Sequence, residues 1–150
     1  MVEKELFDFL VNLEVHKAAR LQYPISVLCL GADLPATQRE HVAQTWRDDL
    51  AQLTVHELRA TDVAASLDTS VAAFLLVGAE TQHLPAIVAR LSSTIEGRVD
   101  EESGTPRFTV SAGGGCYPHT AASGRELLQQ AVDLMTRAQT DGGNRAYLPS

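Results

Sequence analysis

Arg59 and Asp62 stand three residues apart, and Arg90 follows later in the chain. These types suit a flat, hydrogen-bonding ligand. Arginine's planar fork can donate two parallel bonds to guanine O6 and N7 or stack on a ring, and a carboxylate can accept from guanine N1 and N2. Residues three apart point to opposite faces of a regular strand, so the pair converges only where the chain turns or bulges, which places Arg59-x-x-Asp62 at the beginning of a strand. Taken alone the motif is short, and an arginine on a helix is usually solvated. Five residues, Val63 to Leu67, separate Asp62 from the stretch Asp68-Thr69-Ser70-Val71-Ala72. The polar Asp68-Thr69-Ser70 breaks two apolar runs, Leu58 to Leu67 and Val71 to Val77, and reads as a tight turn between antiparallel strands.

Other constellations carry less chemistry. The histidines at 16, 41, 56, 83 and 119 lack zinc-ligand spacing, so no metal site is expected from them. Ser26, Ser111 and Cys116 have no nucleophile elbow around them. Gly113-Gly114-Gly115 lacks the following lysine and helix start of a phosphate cradle, and reads as a tight strand exit with Cys116 as a small residue at a strand end. No cofactor is implied.

The elements that must position Arg59, Asp62 and Arg90 follow from periodicity. Leu6, Phe9, Leu10 and Leu13 recur at helical spacing, predicting a helix to about Leu21 whose apolar stripe reads as core, with docking of a partner helix as the alternative. Ile25 to Leu30 is a continuous apolar run, the pattern of a strand covered on both faces, and Pro35 restarts the chain into a helix with Val42, Trp46, Leu50 and Leu53 inward. After the hairpin a third helix carries Leu84, Ile87, Val88, Leu91 and Ile95 on one side. Gly97 to Pro106 reads as an exposed loop, and Phe108 to Ala112 as a strand. Ser123 and Glu126 form a capping box opening a fourth helix with Leu127, Ala131, Leu134, Met135 and Ala138 inward, ended by Gly142-Gly143. A short edge strand near Arg145 to Leu148 closes the sheet. Strand, helix, hairpin, helix, strand is the ferredoxin-like βαββαβ plan, an α+β fold with a mainly antiparallel central sheet surrounded by helices.

The chain has 150 residues, which predicts one domain over 1–150 with a core of useful size. Its net charge of −7, from 12 Lys and Arg against 19 Asp and Glu, argues against a nucleic-acid partner. Two cysteines imply no disulfide framework and point to a reducing cytoplasm. No apolar run is long enough to insert into a bilayer.

With spacing included, the whole chain resembles the GGDEF family of diguanylate cyclases, which condense two GTP molecules into cyclic di-GMP. The resemblance is carried by Phe7 with Arg20, by Pro24-Ile25-Ser26-Val27-Leu28-Cys29-Leu30 and by Arg59-Ala60-Thr61-Asp62-Val63-Ala64-Ala65. Further on, it rests on Thr109-Val110-Ser111-Ala112-Gly113 with Tyr117-Pro118, and on Ala131 to Arg145. It implies a nucleotidyl-cyclase-like fold with the cyclase chemistry removed. Gly31 and Val71 stand where the family's two magnesium-binding carboxylates belong, and Asp68 and Thr69 replace the turn's glycines. Asp33, two places beyond Gly31, makes a poor magnesium site by itself. Arg39 and Asp48 match the guanine-reading pair on the second helix, where only the aspartate survives and Asp48 beside Asp49 reads sooner as a solvated face than as a ligand, and Gln139 and Gly143 stand in place of the family's phosphate-binding cations. What persists is the inhibitory product site: Arg59, Asp62 and Arg90.

The resemblance therefore implies a catalytically inactive receptor for cyclic di-GMP, taken as one molecule or as a stacked pair. It would signal to a protein partner of a bacterial signalling or exopolysaccharide system, as in biofilm formation, with homodimerisation open. It would reside in the cytoplasm, alone or as the cytosolic part of a longer or membrane-associated chain. The competing reading is a structural or dimerisation module without nucleotide binding.

Overall fold

Eight consecutive residues of β2, Ile25–Ala32, are buried, because this strand runs through the middle of the sheet with helices on both sides. Alternation divides them. Leu28, Leu30 and Ala32 join a cluster with Trp46, Leu50, Leu53, Phe74, Leu84, Val88 and Leu91, whereas Ile25, Val27 and Cys29 join one with Phe7, Val11, Leu75, Leu127 and Ala131. The computed structural model describes residues 1–34, 36–96 and 108–149, with the backbone alone over 36–45 and at 96. The expected loop over 97–106 and the side chains of Arg39 and Val42 lie outside the described residues.

The elements run β1 Val2–Glu3, α1 Lys4–Leu21, β2, α2 Ala36–His56, β3 Val63–Asp68 and β4 Val71–Val77. A short 3-10 turn, Thr81–His83, leads into α3 Leu84–Glu96, followed by β5 Val110–Tyr117, α4 Gly124–Thr140 and β6 Ala146–Tyr147. The sheet order is β1-β3-β4-β2-β5-β6. The four inner strands pair antiparallel and the two edge strands parallel. This is the expected ferredoxin-like α+β plan, with α2 and α3 on one face and α1 and α4 on the other. Trp46 is fully buried and meets the Phe108 ring with centroids 5.6 Å apart. Ser123 caps α4 by accepting from Glu126 N at 3.2 Å, and Glu126 Oε2 accepts from Ala122 N at 3.0 Å.

Four expectations need correction. Helix α1 turns Phe7, Val11, Val15 and Ala18 inward, whereas Leu6, Phe9 and Leu13 are 47 %, 62 % and 43 % exposed and Leu10 is half-buried. At about 100° per residue the two sets lie on nearly opposite sides, so the helix carries two apolar faces and only one meets the sheet. Strand β3 begins at Val63 instead of Leu58, because 58–62 form a turn held by the Asp62 side chain. Gly113-Gly114-Gly115 lies inside β5, opposite Cys29, Leu28 and Val27, and is not a strand exit. A Cβ at Gly113 would sit 2.2 Å from Ala131 O and Met135 N, so glycine is what lets α4 rest directly on the sheet. Finally, Asp49 is buried at 3 % exposure, so only Asp48 of that pair belongs to a solvated face. Among the described residues no helix is long and apolar enough to cross a membrane.

Candidate functional site

The residues singled out from the sequence gather at two ends of one hairpin. Strand β4 separates them: Val71 pairs with Asp68 beside the turn, and Val77, six residues on, touches the Arg59 corner. At about 3.3 Å per residue the two corners are roughly 20 Å apart.

At the first corner the chain leaves α2 and turns into β3. Asp62 N donates to Arg59 O at 3.0 Å, closing a turn. The Asp62 carboxylate, 5 % exposed, accepts from Arg59 N at 3.1 Å and from Val77 N at 3.3 Å, and its Oδ2 lies 3.6 Å from Arg59 Nε. Arg59 Nη2 donates to Val77 O at 2.8 Å, and the side chain is 66 % exposed. A buried carboxylate thus fixes the base of an arginine whose remaining donors and flat face point outward, the convergence that a turn before the strand makes possible. Arg90, on α3, donates to Glu57 Oε2 at 3.1 Å and to Glu57 O at 3.5 Å. Glu57 stands two residues before Arg59, so Arg90 joins the same corner. Glu57 was missed by sequence reasoning; nothing in its spacing marks it, since the contact spans 33 residues.

The second corner is the hairpin turn. Thr69 and Ser70 connect the strands, with a register shift between Ser66 and Asp68. Asp68 Oδ1 accepts from Thr69 N at 2.6 Å, so its charge braces the turn, and Ser70 O accepts from Ala32 N at 2.9 Å. Gly31 pairs with Val71 on one side and Ser111 on the other. A Cβ at Gly31 would lie 2.6 Å from Gln139 Nε2 and 2.9 Å from Met135 Sδ, and the Gln139 amide donates to Ala32 O at 3.3 Å. The space in front of position 31 is therefore filled from α4.

Asp33 is equally committed. Its carboxylate accepts from Thr109 Oγ1 at 2.7 Å, Ser111 Oγ at 2.7 Å and Asn144 N at 2.8 Å, binding the ends of β2 and β5 to the turn after α4. Gly143 sits there at φ 74°, where a Cβ would lie 2.8 Å from Asp33 Cγ. A magnesium site needs several oxygen ligands with room around them. Gly31 and Val71 offer no side-chain oxygen, and the Asp33 carboxylate is spent on three donors. Among the described residues no group of three His, Cys, Asp or Glu could hold a metal. Cys29 is no nucleophile either: burial pushes its thiol up to about 12.

No family model and no curated protein matches the sequence. Solved structures do. The GGDEF domain of YfiN from Pseudomonas aeruginosa aligns with TM-score 0.84 at 18% identity, over 100% of this chain and 97% of that one. The fold is that of a GGDEF domain. The GGDEF domain of DgcB from Caulobacter crescentus, in complex with c-di-GMP, aligns with TM-score 0.79 at 14% identity, over 99% of this chain and 88% of that one. A microbial GGDEF domain solved for its interaction with cyclic di-GMP aligns with TM-score 0.79 at 20% identity, over 99% and 91%. At these identities the likeness is one of fold.

Proposed function

We propose that residues 1–150 act as one non-catalytic GGDEF-like domain that binds cyclic di-GMP through Arg59, Asp62 and Arg90 and relays occupancy to a protein partner. The observation that carries this reading is the Arg59 corner. There an exposed guanidinium is braced at its base by a buried carboxylate, with a second arginine tethered beside it. Arg59 supplies the bidentate or stacking contact to guanine, Arg90 a second base or a phosphate, and Asp62 chiefly holds Arg59 in place while keeping lone pairs for a base N–H. Because the chain carries a net charge of −7, affinity for an anionic dinucleotide comes from these local contacts and not from the long-range field.

Absence of cyclase activity is part of the proposal. It is supported by Gly31 backed against Gln139 and by Asp33 spent on the strand ends. Calorimetric titration of cyclic di-GMP tests the receptor reading: saturable heat that Arg59→Ala removes is expected. Equal binding by the folded Arg59→Ala variant, or no binding by the wild type, would sink it. In the second case the outward apolar face of α1, with Leu6, Phe9 and Leu13, favours a dimerisation or docking module.

A further inference from the structure

Helix α1 covers the sheet with Phe7, Val11, Val15 and Ala18, and its other side turns Leu6, Phe9 and Leu13 to solvent. Among the described residues the strongly exposed large apolar side chains are Met1, Leu6, Phe9, Leu13, Leu21 and Val55, and all but Val55 lie on or next to this helix. A single exposed leucine needs no explanation, but a stripe of them marks a surface that something covers. Steps of three, four, three and four residues carry the stripe from Leu6 through Phe9 and Leu13 to His16 and Arg20. That is the spacing of a seam that packs along another helix.

Charge selects what covers it. Glu3 and Glu5 stand at the start of the helix, and Lys17 and Arg20 near its end. Lys17 is held by Glu14 at 3.2 Å, whereas Glu3, Glu5 and Arg20 make no ion pair among the described residues. Lys4 and Asp8, of opposite sign, line the groove toward α4 beside Gly124 and Gln129, away from the stripe. A face that is acidic at one end, apolar in the middle and basic at the other is complementary to a reversed copy of itself. Pairing in the same direction would set Glu5 against Glu5 and Arg20 against Arg20. The net charge of −7 opposes an anionic bilayer as the covering surface.

From this we infer that the chain forms a homodimer in which the α1 helices of two copies pack antiparallel about a two-fold axis near position 11. Phe9 of each copy meets Leu13 of the other, and Glu3 and Glu5 of each come alongside Lys17 and Arg20 of the other. A pair of 18-residue helices, each about 27 Å long, buries less than the roughly 1,200 Å² of a standard interface, so the dimer is weak, with a dissociation constant on the order of 10–100 µM. It needs no dinucleotide. The helix α3 that carries Arg90 packs on the far face of the sheet from α1, so pairing leaves both Arg59 corners open, and the inference does not rest on the receptor reading.

Sedimentation equilibrium without ligand, from about tenfold below to about tenfold above that constant, tests it. The mean mass should climb from one chain toward two. Phe9→Ser and Leu6→Gln should each weaken association about tenfold or more, with the urea midpoint read by Trp46 unchanged, because both side chains lie outside the core. Arg20→Glu alone and Glu5→Lys alone should each weaken it about threefold or more, since the two-fold counts every change twice. A chain carrying both should regain wild-type association, because each charge again meets its opposite. Arg59→Ala should associate as the wild type does. A monomer throughout the range, unchanged association in Phe9→Ser and Leu6→Gln, or a double charge variant no better than the single ones would overturn the inference. So would a dimer lost in Arg59→Ala, or a monomer that sediments with phosphatidylglycerol vesicles, which would assign the face to a membrane.

Discussion

Replacing Asp62 by alanine should damage both the fold and the binding corner, whereas replacing Arg59 should damage binding alone. Asp62 is 5 % exposed and its carboxylate accepts two backbone N–H bonds, from Arg59 at 3.1 Å and Val77 at 3.3 Å. Hydrogen bonds to a charged group contribute about 1.5–3 kcal/mol when well formed. These are at the long end of the distance range and one donor is near solvent, so the pair together should be worth about 2–3 kcal/mol. Against a total stability of roughly 5–15 kcal/mol that is a large fraction, and it corresponds to a fall of about 1–2 M in the urea midpoint. Trp46, the only tryptophan and fully buried, reports the transition by fluorescence. Arg59, 66 % exposed, should shift the midpoint by no more than a few tenths of a molar, as solvent-exposed ion pairs do. In calorimetry each single variant should lose about tenfold or more in cyclic di-GMP affinity. The double variant should lose little beyond Arg59→Ala, because Asp62 acts mainly through Arg59. Equal destabilisation by the two single variants, or a neutral Asp62→Ala, would refute this division of labour.

Incubation with GTP and magnesium should yield no cyclic di-GMP by chromatography. The variant carrying Gly31→Asp and Val71→Glu should stay inactive and lose about 1–3 kcal/mol in urea unfolding, as the new carboxylate displaces the Gln139 amide and Met135. Arg90→Ala should weaken cyclic di-GMP binding less than Arg59→Ala does. Glu57→Gln should strengthen binding by releasing Arg90 from its ion pair at 3.1 Å, as calorimetry would show. Desolvation first, and then the hydrogen bond and charge of Glu14, push the Tyr23 phenol up to about 12 from 10. Its folded value is raised, so the stability it contributes is whole below pH 10 and is lost as pH rises toward 12. Near-UV absorbance titration should show a tyrosine step near pH 12 that Tyr23→Phe removes.

Much of this was readable before any coordinates. The apolar run of β2, broken only by Ser26, reads as a strand covered on both faces, and strand, helix, hairpin, helix, strand then points to the ferredoxin-like order, because local patterning and short connections leave few alternatives. Strand geometry alone also placed Arg59 and Asp62 where the chain enters β3, although not that the strand waits until Val63.

Elsewhere, pattern was not enough. Leu6, Phe9 and Leu13 repeat as regularly as Phe7, Val11 and Val15, and only packing against β3 and α4 decided which stripe the sheet would cover. Gly113-Gly114-Gly115 looks like a strand end until α4 is seen to lie on it, an approach that belongs to the helix and not to the glycines. The site divides in the same way. Residue type gave Arg59 its hydrogen-bonding fork and left Gly31 and Val71 without a side-chain oxygen. Three facts depend on chain segments brought together across 15 to 107 residues: the hold of Asp62 on Val77 N, the tether of Arg90 to Glu57, and the Gln139 amide filling the space before Gly31. Spacing along a chain fixes what a residue can do and which element carries it. What stands opposite it is set by tertiary contact, because hydrogen bonds and packing act at ångström range between segments whose separation in sequence carries no record of their meeting.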